Sequence, residues 1–177
     1  MFQIGLGPKP NNLRTKVIIK LVFLSSTNGN IVLSGTTLSG SANLAVATGR
    51  TATINVSSTS TYDGIISGNG SGLTKLGAGM LTLTKDHTYS GATTISGGDL
   101  QVGTGGSVDQ ASSGSISNTT AGTVESGSKL ILTPNEDIVF TAPISGAGGV
   151  EIKGASGAYY NTFLTGTAQT IATYTSV

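Results

Sequence analysis

Asp63, Asp86 and Asp109 recur at intervals of 23 residues in a chain of 177 that holds only eight acidic side chains. In a fold whose turns were 23 residues long they would stack, neighbours about 5 Å apart and the outer pair about 10 Å, near the separations at which paired carboxylates cleave glycosidic bonds. An acidic polysaccharide is the substrate such a column would suit. Bare stacked carboxylates repel unless a cation or a raised pKa relieves them, so coincidence is the favoured reading of the spacing. His87 is the only histidine. A Ser-His-Asp site needs a serine on a sharp strand-to-helix turn, and no G-x-S-x-G stands in that context. His87 is therefore expected in a turn, its ring bonded to local backbone, with a lone metal ligand as the lesser alternative. Lys75 is expected on the solvent face between Leu73 and Leu76, and Tyr89 over a corner of the core.

Other chemistry is thinly provided for. The glycines form neither G-x-x-x-x-G-K-[ST] nor a G-x-G-x-x-G between strand and helix, so they read as turns rather than phosphate cradles. Nine basic against eight acidic residues give a formal net charge of +1, with no basic cluster, which argues against a nucleic-acid partner. Aromatic residues make up 5% of the chain and tryptophan is absent, so stacking platforms for sugars are scarce. Tyr159-Tyr160 is the one local candidate, and an ordinary loop pair partly covering the core is the favoured account of it. No cysteine is present, which excludes disulfides and thiolate metal sites. No catalytic, cofactor-binding or metal-binding residue is assigned.

The elements that must position these residues are short. From Ser25 onward no long stripe of helical period appears, while β-branched residues and glycine crowd every window. Period-two runs include Ala52, Ile54 and Val56; Leu81 and Leu83; Leu100 and Val102; and Ile138 with Phe140. Turn signals separate them: Asp63-Gly64, the Gly68-x-Gly70-x-Gly72 cluster, Gly97-Gly98 and Gly105-Gly106. This is an all-β chain of sandwich, barrel or solenoid type. Self-comparison favours the solenoid. "IISGNGSGLTKLG" (65–77) resembles "PISGAGGVEIKG" (143–154), and "HTYSGAT" (87–93) has a looser echo in "NTFLTGT" (161–167). In a solenoid each turn exposes strand edges that only the next turn pairs, so coils stack about 4.8 Å apart.

The stretch Gly70, Gly72, Leu73, Lys75, Gly77, Gly79, Leu81, Leu83, followed by Tyr89, Gly91, Thr93, Ile95, Gly98 and Leu100, resembles the passenger-associated transport repeat of autotransporter proteins, the secreted β-helical adhesins of Gram-negative bacteria. His87 stands where that family usually has asparagine. The resemblance implies a right-handed parallel β-helix that helps an exported passenger fold at the outer surface, as a noncatalytic stalk and scaffold without a cofactor. It places the protein at the outer-membrane surface or outside the cell. The expected partners are neighbouring coils of a longer passenger or further copies joined through strand edges, and a host or cell-surface ligand. Membrane contact would come only through a β-barrel that this chain does not contain.

The organisation expected is a lead-in or cap over residues 1–24 and a β-helix over 25–177. The strong repeat lies at about 68–103 and the degenerate copy at about 138–167. Within the first segment "RTKVIIKLVFLSS" (14–26) has basic residues before an apolar run, as a signal core does, but Lys20 interrupts it and no Ala-x-Ala site follows, which favours a buried strand. With no carboxy-terminal barrel after "IATYTSV", the chain is expected to be a fragment or a partner-dependent piece.

Overall fold

The computed structural model describes residues 2–4, 18–20, 24–25, 29–104, 114–116, 118–133, 138–153, 162–164 and 173–176. All the elements among them are β-strands, and they stack as a β-solenoid of parallel sheets. The first sheet runs β1 (Phe2–Ile4), β4 (Ile31–Gly35), β7 (Thr51–Val56), β10 (Gly72–Leu76), β13 (Thr93–Ile95), β15 (Gly122–Val124) and β18 (Ile144–Ser145). The second runs β2 (Ile18–Lys20), β5 (Thr37–Gly40), β8 (Ser60–Tyr62), β11 (Leu81–Leu83), β14 (Asp99–Val102), β16 (Lys129–Leu132), β19 (Gly149–Ile152) and β21 (Thr173–Ser176). A third, shorter face stacks β3 (Leu24–Ser25), β6 (Leu44–Ala45), β9 (Ile66–Gly68) and β12 (Thr88–Tyr89), and β17 (Ile138–Phe140) pairs with β20 (Thr162–Leu164). Every pairing described is parallel.

The period-two runs become these strands because alternate side chains point to opposite sides of the sheet. In β7, Ala52, Ile54 and Val56 are buried and Asn55 is exposed. Parallel in-register pairing then stacks like positions into interior columns. Ile31, Ala52, Leu73 and Thr93 form one column, and Leu33, Ile54, Lys75, Ile95 and Val124 form the next. On the second sheet Ser60, Leu81, Leu100, Leu130 and Val150 form a third. The faces bury one continuous apolar core, each Leu or Ile contributing about 1.5 to 3 kcal/mol. Strands fall within both halves of the 14–26 stretch: Ile18–Lys20 pairs with Thr37–Ser39 and Leu24–Ser25 with Leu44–Ala45.

Outside the enlarged coil, side-chain bonds between coils join residues 20 to 23 apart in sequence. One coil is larger. The links from Thr119 to Gly91 and from Thr133 to Val102 span 28 and 31 residues. The added residues fall between two glycines that meet in space, for the Cβ position of Gly114 lies 2.7 Å from the Gly103 nitrogen.

The similar stretches 65–77 and 143–154 turn different corners. The first joins the third face to the first sheet through β9 and β10, whereas the second joins the first sheet to the second through β18 and β19. Their shared S-G-x-G records the demands of a tight corner. The remaining echo, residues 161–167, falls mostly outside the described residues.

Two glycines show what a corner demands. Gly77 (φ +78) and Gly127 (φ +80) both adopt a left-handed backbone. A Cβ at Gly77 would also collide with the Val56 carbonyl oxygen and stand 2.5 Å from Asn55 Oδ1, while one at Gly127 would meet nothing within 4 Å. Gly127→Ala should therefore cost only the backbone penalty, about 1 kcal/mol, and Gly77→Ala about 3 kcal/mol or more. Urea unfolding of the two variants against the parent measures the difference; equal losses would show that corner crowding is not what fixes Gly77.

Candidate functional site

Lys75 is the residue at which the structure departs furthest from expectation. It lies in the interior column between Ile54 and Ile95 and is fully buried, not on the solvent face. Alternation along β10 explains why. Leu73 and Lys75 share one side of the strand while Leu76 takes the other, so a lysine two places from a core leucine points inward with it. Its aliphatic stem continues the apolar column, and its Nζ reaches the corner that follows. There the ammonium donates to the Leu76 oxygen at 2.8 Å, to the Gly77 oxygen at 2.9 Å and, one coil on, to the Gly97 oxygen at 2.9 Å. Three N–H bonds meet three carbonyls, so no donor is left over. Burial pulls the pKa down from 10.5 to about 8, and Asp99 opposes that shift, so the side chain remains cationic at neutral pH. Lys75 thus ties two successive corners together through three backbone carbonyls.

The other end of the repeat is equally enclosed. His87 is 1% exposed, and its Nδ1 accepts the Ile66 N–H at 2.9 Å. The expected bond from ring to backbone is there, but it reaches the preceding coil rather than the local turn. The His87 amide donates to the Ser115 oxygen at 2.8 Å, so one residue links three coils. Nε2 is buried with no partner among the described residues. With neither ring nitrogen bonded to a serine or a carboxylate among them, no Ser-His-Asp arrangement forms there. Tyr89 covers a corner of the core, as expected, at 1% exposure. Its hydroxyl lies 2.7 Å from Thr93 Oγ1, which lies 3.0 Å from Thr119 Oγ1. Thr119 in turn donates to the Gly91 oxygen at 2.7 Å. Desolvation lifts the Tyr89 phenol well above its ordinary range, so it stays neutral.

Among the described residues, Asp63 and Asp86 do not stack in register. Because the coil is nearer 21 residues than 23, Asp63 is stacked against Thr84, whose hydroxyl donates to Asp63 Oδ1 at 2.8 Å. Asp86 falls two places further on and forms a bridge with Ser115 of the enlarged coil. Asp109, Tyr159 and Tyr160 lie outside the described residues. Asp63 and Asp86 are thus out of register with one another, which agrees with coincidence as the favoured reading of the 23-residue spacing.

Several residues that hold the coils together carry no strong sequence signal. Asn30 Oδ1 accepts the Thr51 N–H, and Asn43 Oδ1 accepts the Ile65 N–H, both at 2.9 Å. Ser60 Oγ accepts the Leu38 N–H at 3.0 Å, and the Tyr62 hydroxyl donates to the Ala42 oxygen at 2.5 Å. The available hint was position: Asn30 and Asn43 each stand immediately before a strand.

Residues 73–102 match the family described as the passenger-associated-transport-repeat. The match begins at the β10 leucine and ends at the last residue of β14, and so encloses Lys75, His87 and Tyr89. No curated protein and no solved structure matches the chain.

Lys75→Met keeps most of the apolar stem and removes the three donors. It should destabilise the fold by about 2 to 4 kcal/mol, because three corner carbonyls lose their charged partner. Lys75→Arg, whose planar fork does not fit a pyramidal set of acceptors, should recover only part of that loss. Chemical denaturation of both variants is the check, and a Met variant as stable as the parent would remove Lys75 from the stacking account.

Proposed function

We propose that the chain is a structural β-helical segment of the passenger of a secreted, autotransporter-like surface protein of a Gram-negative bacterium. Its task is to fold coil upon coil as it emerges at the outer surface and to hold more distal parts away from the cell as an adhesin stalk. The observation that carries this reading is the transport repeat at residues 73–102, whose most buried polar groups are spent on joining one coil to the next. A solenoid suits vectorial export physically. Each finished coil presents a row of unpaired N–H and C=O groups that templates its successor, so coil-by-coil free energy favours forward movement without ATP outside the cell. The partners that fit are neighbouring coils of a longer passenger, or further copies joined through strand edges, with a host or cell-surface ligand further along the assembly.

The test joins the chain upstream of an autotransporter β-barrel and measures surface display by protease accessibility on intact cells. The parent sequence should reach the surface folded. Gly77→Ala and Lys75→Met should lower display in the order of their losses in stability, while Gly127→Ala should leave it near the parent level. Display that ignores stability across this series would overturn a role for coil folding in export.

A further inference from the structure

The strand pairing of the third face breaks off after β12, where the enlarged coil follows, and β17, paired with β20, takes the corresponding place between a second-sheet and a first-sheet strand further on. His87 sits at that point. Its ring fills a gap in the inter-coil ladder, where Nδ1 accepts a backbone N–H from Ile66 while the His87 amide bonds the coil beyond. Only an unprotonated Nδ1 accepts. Protonation would set a second N–H against the Ile66 N–H, and Nε2, already without a partner among the described residues, has no acceptor there to share the charge. We propose that His87 is an acid-sensitive latch that closes the third face when neutral and releases the contact between coils at Ile66 when protonated.

The surroundings fit a latch that opens in acid. On its own segment Lys85 and Asp86 precede the histidine, and the tilted Tyr89 ring follows with its centroid 6.3 Å away. On the preceding coil, β9 carries no titratable side chain, Asp63 accepts from Thr84, and Tyr62 donates to Ala42. The following coil presents Ser115 and Ile116. Among the described residues no carboxylate is bonded to the ring, and desolvation lowers the His87 pKa from 6.5 to about 4. Between those two values the unfolded chain binds the proton and the folded chain does not, so stability rises with pH and is lost as pH falls from 6.5 to about 4. On the first two sheets, the buried lysine at the corner is already cationic, and acid leaves it so.

The experiment follows the folded, full-length chain by NMR and by denaturation across this window. The His87 ring should titrate well below 6.5, and the protection of the Ile66 amide, measured against its intrinsic exchange rate at each pH, should fall as it does. The folded-to-unfolded ratio should fall on the order of a hundredfold between about pH 6.5 and about pH 4. His87→Asn supplies an acceptor that does not titrate, so it should retain Ile66 protection and lose most of the pH dependence, leaving only what the carboxylates contribute. An ordinary histidine titration in the folded protein, or the same pH profile in His87→Asn, would overturn the latch. Should His87→Asn fold poorly, the parent's ring titration and Ile66 exchange still decide the matter between them.

Discussion

A parallel strand cannot satisfy its own backbone. Its N–H and C=O groups point along the solenoid axis in both directions, and in this molecule they find their partners on the coil above or below. That constraint sets the rest. Strands of successive coils must keep register, interior side chains must fall into columns, and corners must let backbone pass close over backbone. Gly77 shows the last demand, since a methyl group there would occupy the place of the Val56 carbonyl oxygen of the coil before.

Corners are where the ladder lapses, and that is where the polar side chains of the interior are concentrated. A backbone N–H or C=O near a tight turn can lose its ladder partner, and burying it unpaired is costly. Different residues answer the same need in different coils. Lys75 gathers three carbonyls from two corners, Asn30 and Asn43 each accept an amide from a neighbouring coil, and His87 does so with a ring nitrogen. This gives a physical account of why asparagine and histidine serve at similar places: each offers one acceptor on a short, stiff side chain. The lysine is the less expected solution. It suits a position where the acceptors are several, the column below is aliphatic, and the stem is long enough to reach past it.

The sequence carried the architecture because architecture depends on averages. Alternating Leu and Thr, scarce charges and regular glycine turns are properties of many residues, and each of them had to hold in every coil. Individual sites depended on phase. Lys75 was expected outside because a charged residue is usually solvated, yet its spacing of two from Leu73 already placed it on the inner side of the strand. The Asp63–Asp86 interval failed for a similar reason: a coil nearer 21 residues moves a 23-residue spacing two places out of register. Tyr89 was legible because a lone aromatic among small residues has few places to go besides the core. Thr119 was not, since one threonine in a threonine-rich stretch looks like any other until the hydroxyl chain through Thr93 is seen.

The enlarged coil shows how such a fold admits irregularity without losing its core. Gly103 and Gly114 are eleven positions apart in sequence yet lie against one another in space. The columns continue across the enlargement, with Val102 over Leu132 and Ile95 over Val124. Residues added between two points that already touch cost loop entropy, which grows only slowly with length, and they remove no contact from these columns. Among the described residues the third face has no strand at that level, and the groups there are held by single bonds: the His87 amide to Ser115, Ser115 to Lys85, and Thr120 to Gly91. Variation in a stack of this kind is therefore tolerated at corners and concentrated on one face, while the columns inside set which coils can follow one another.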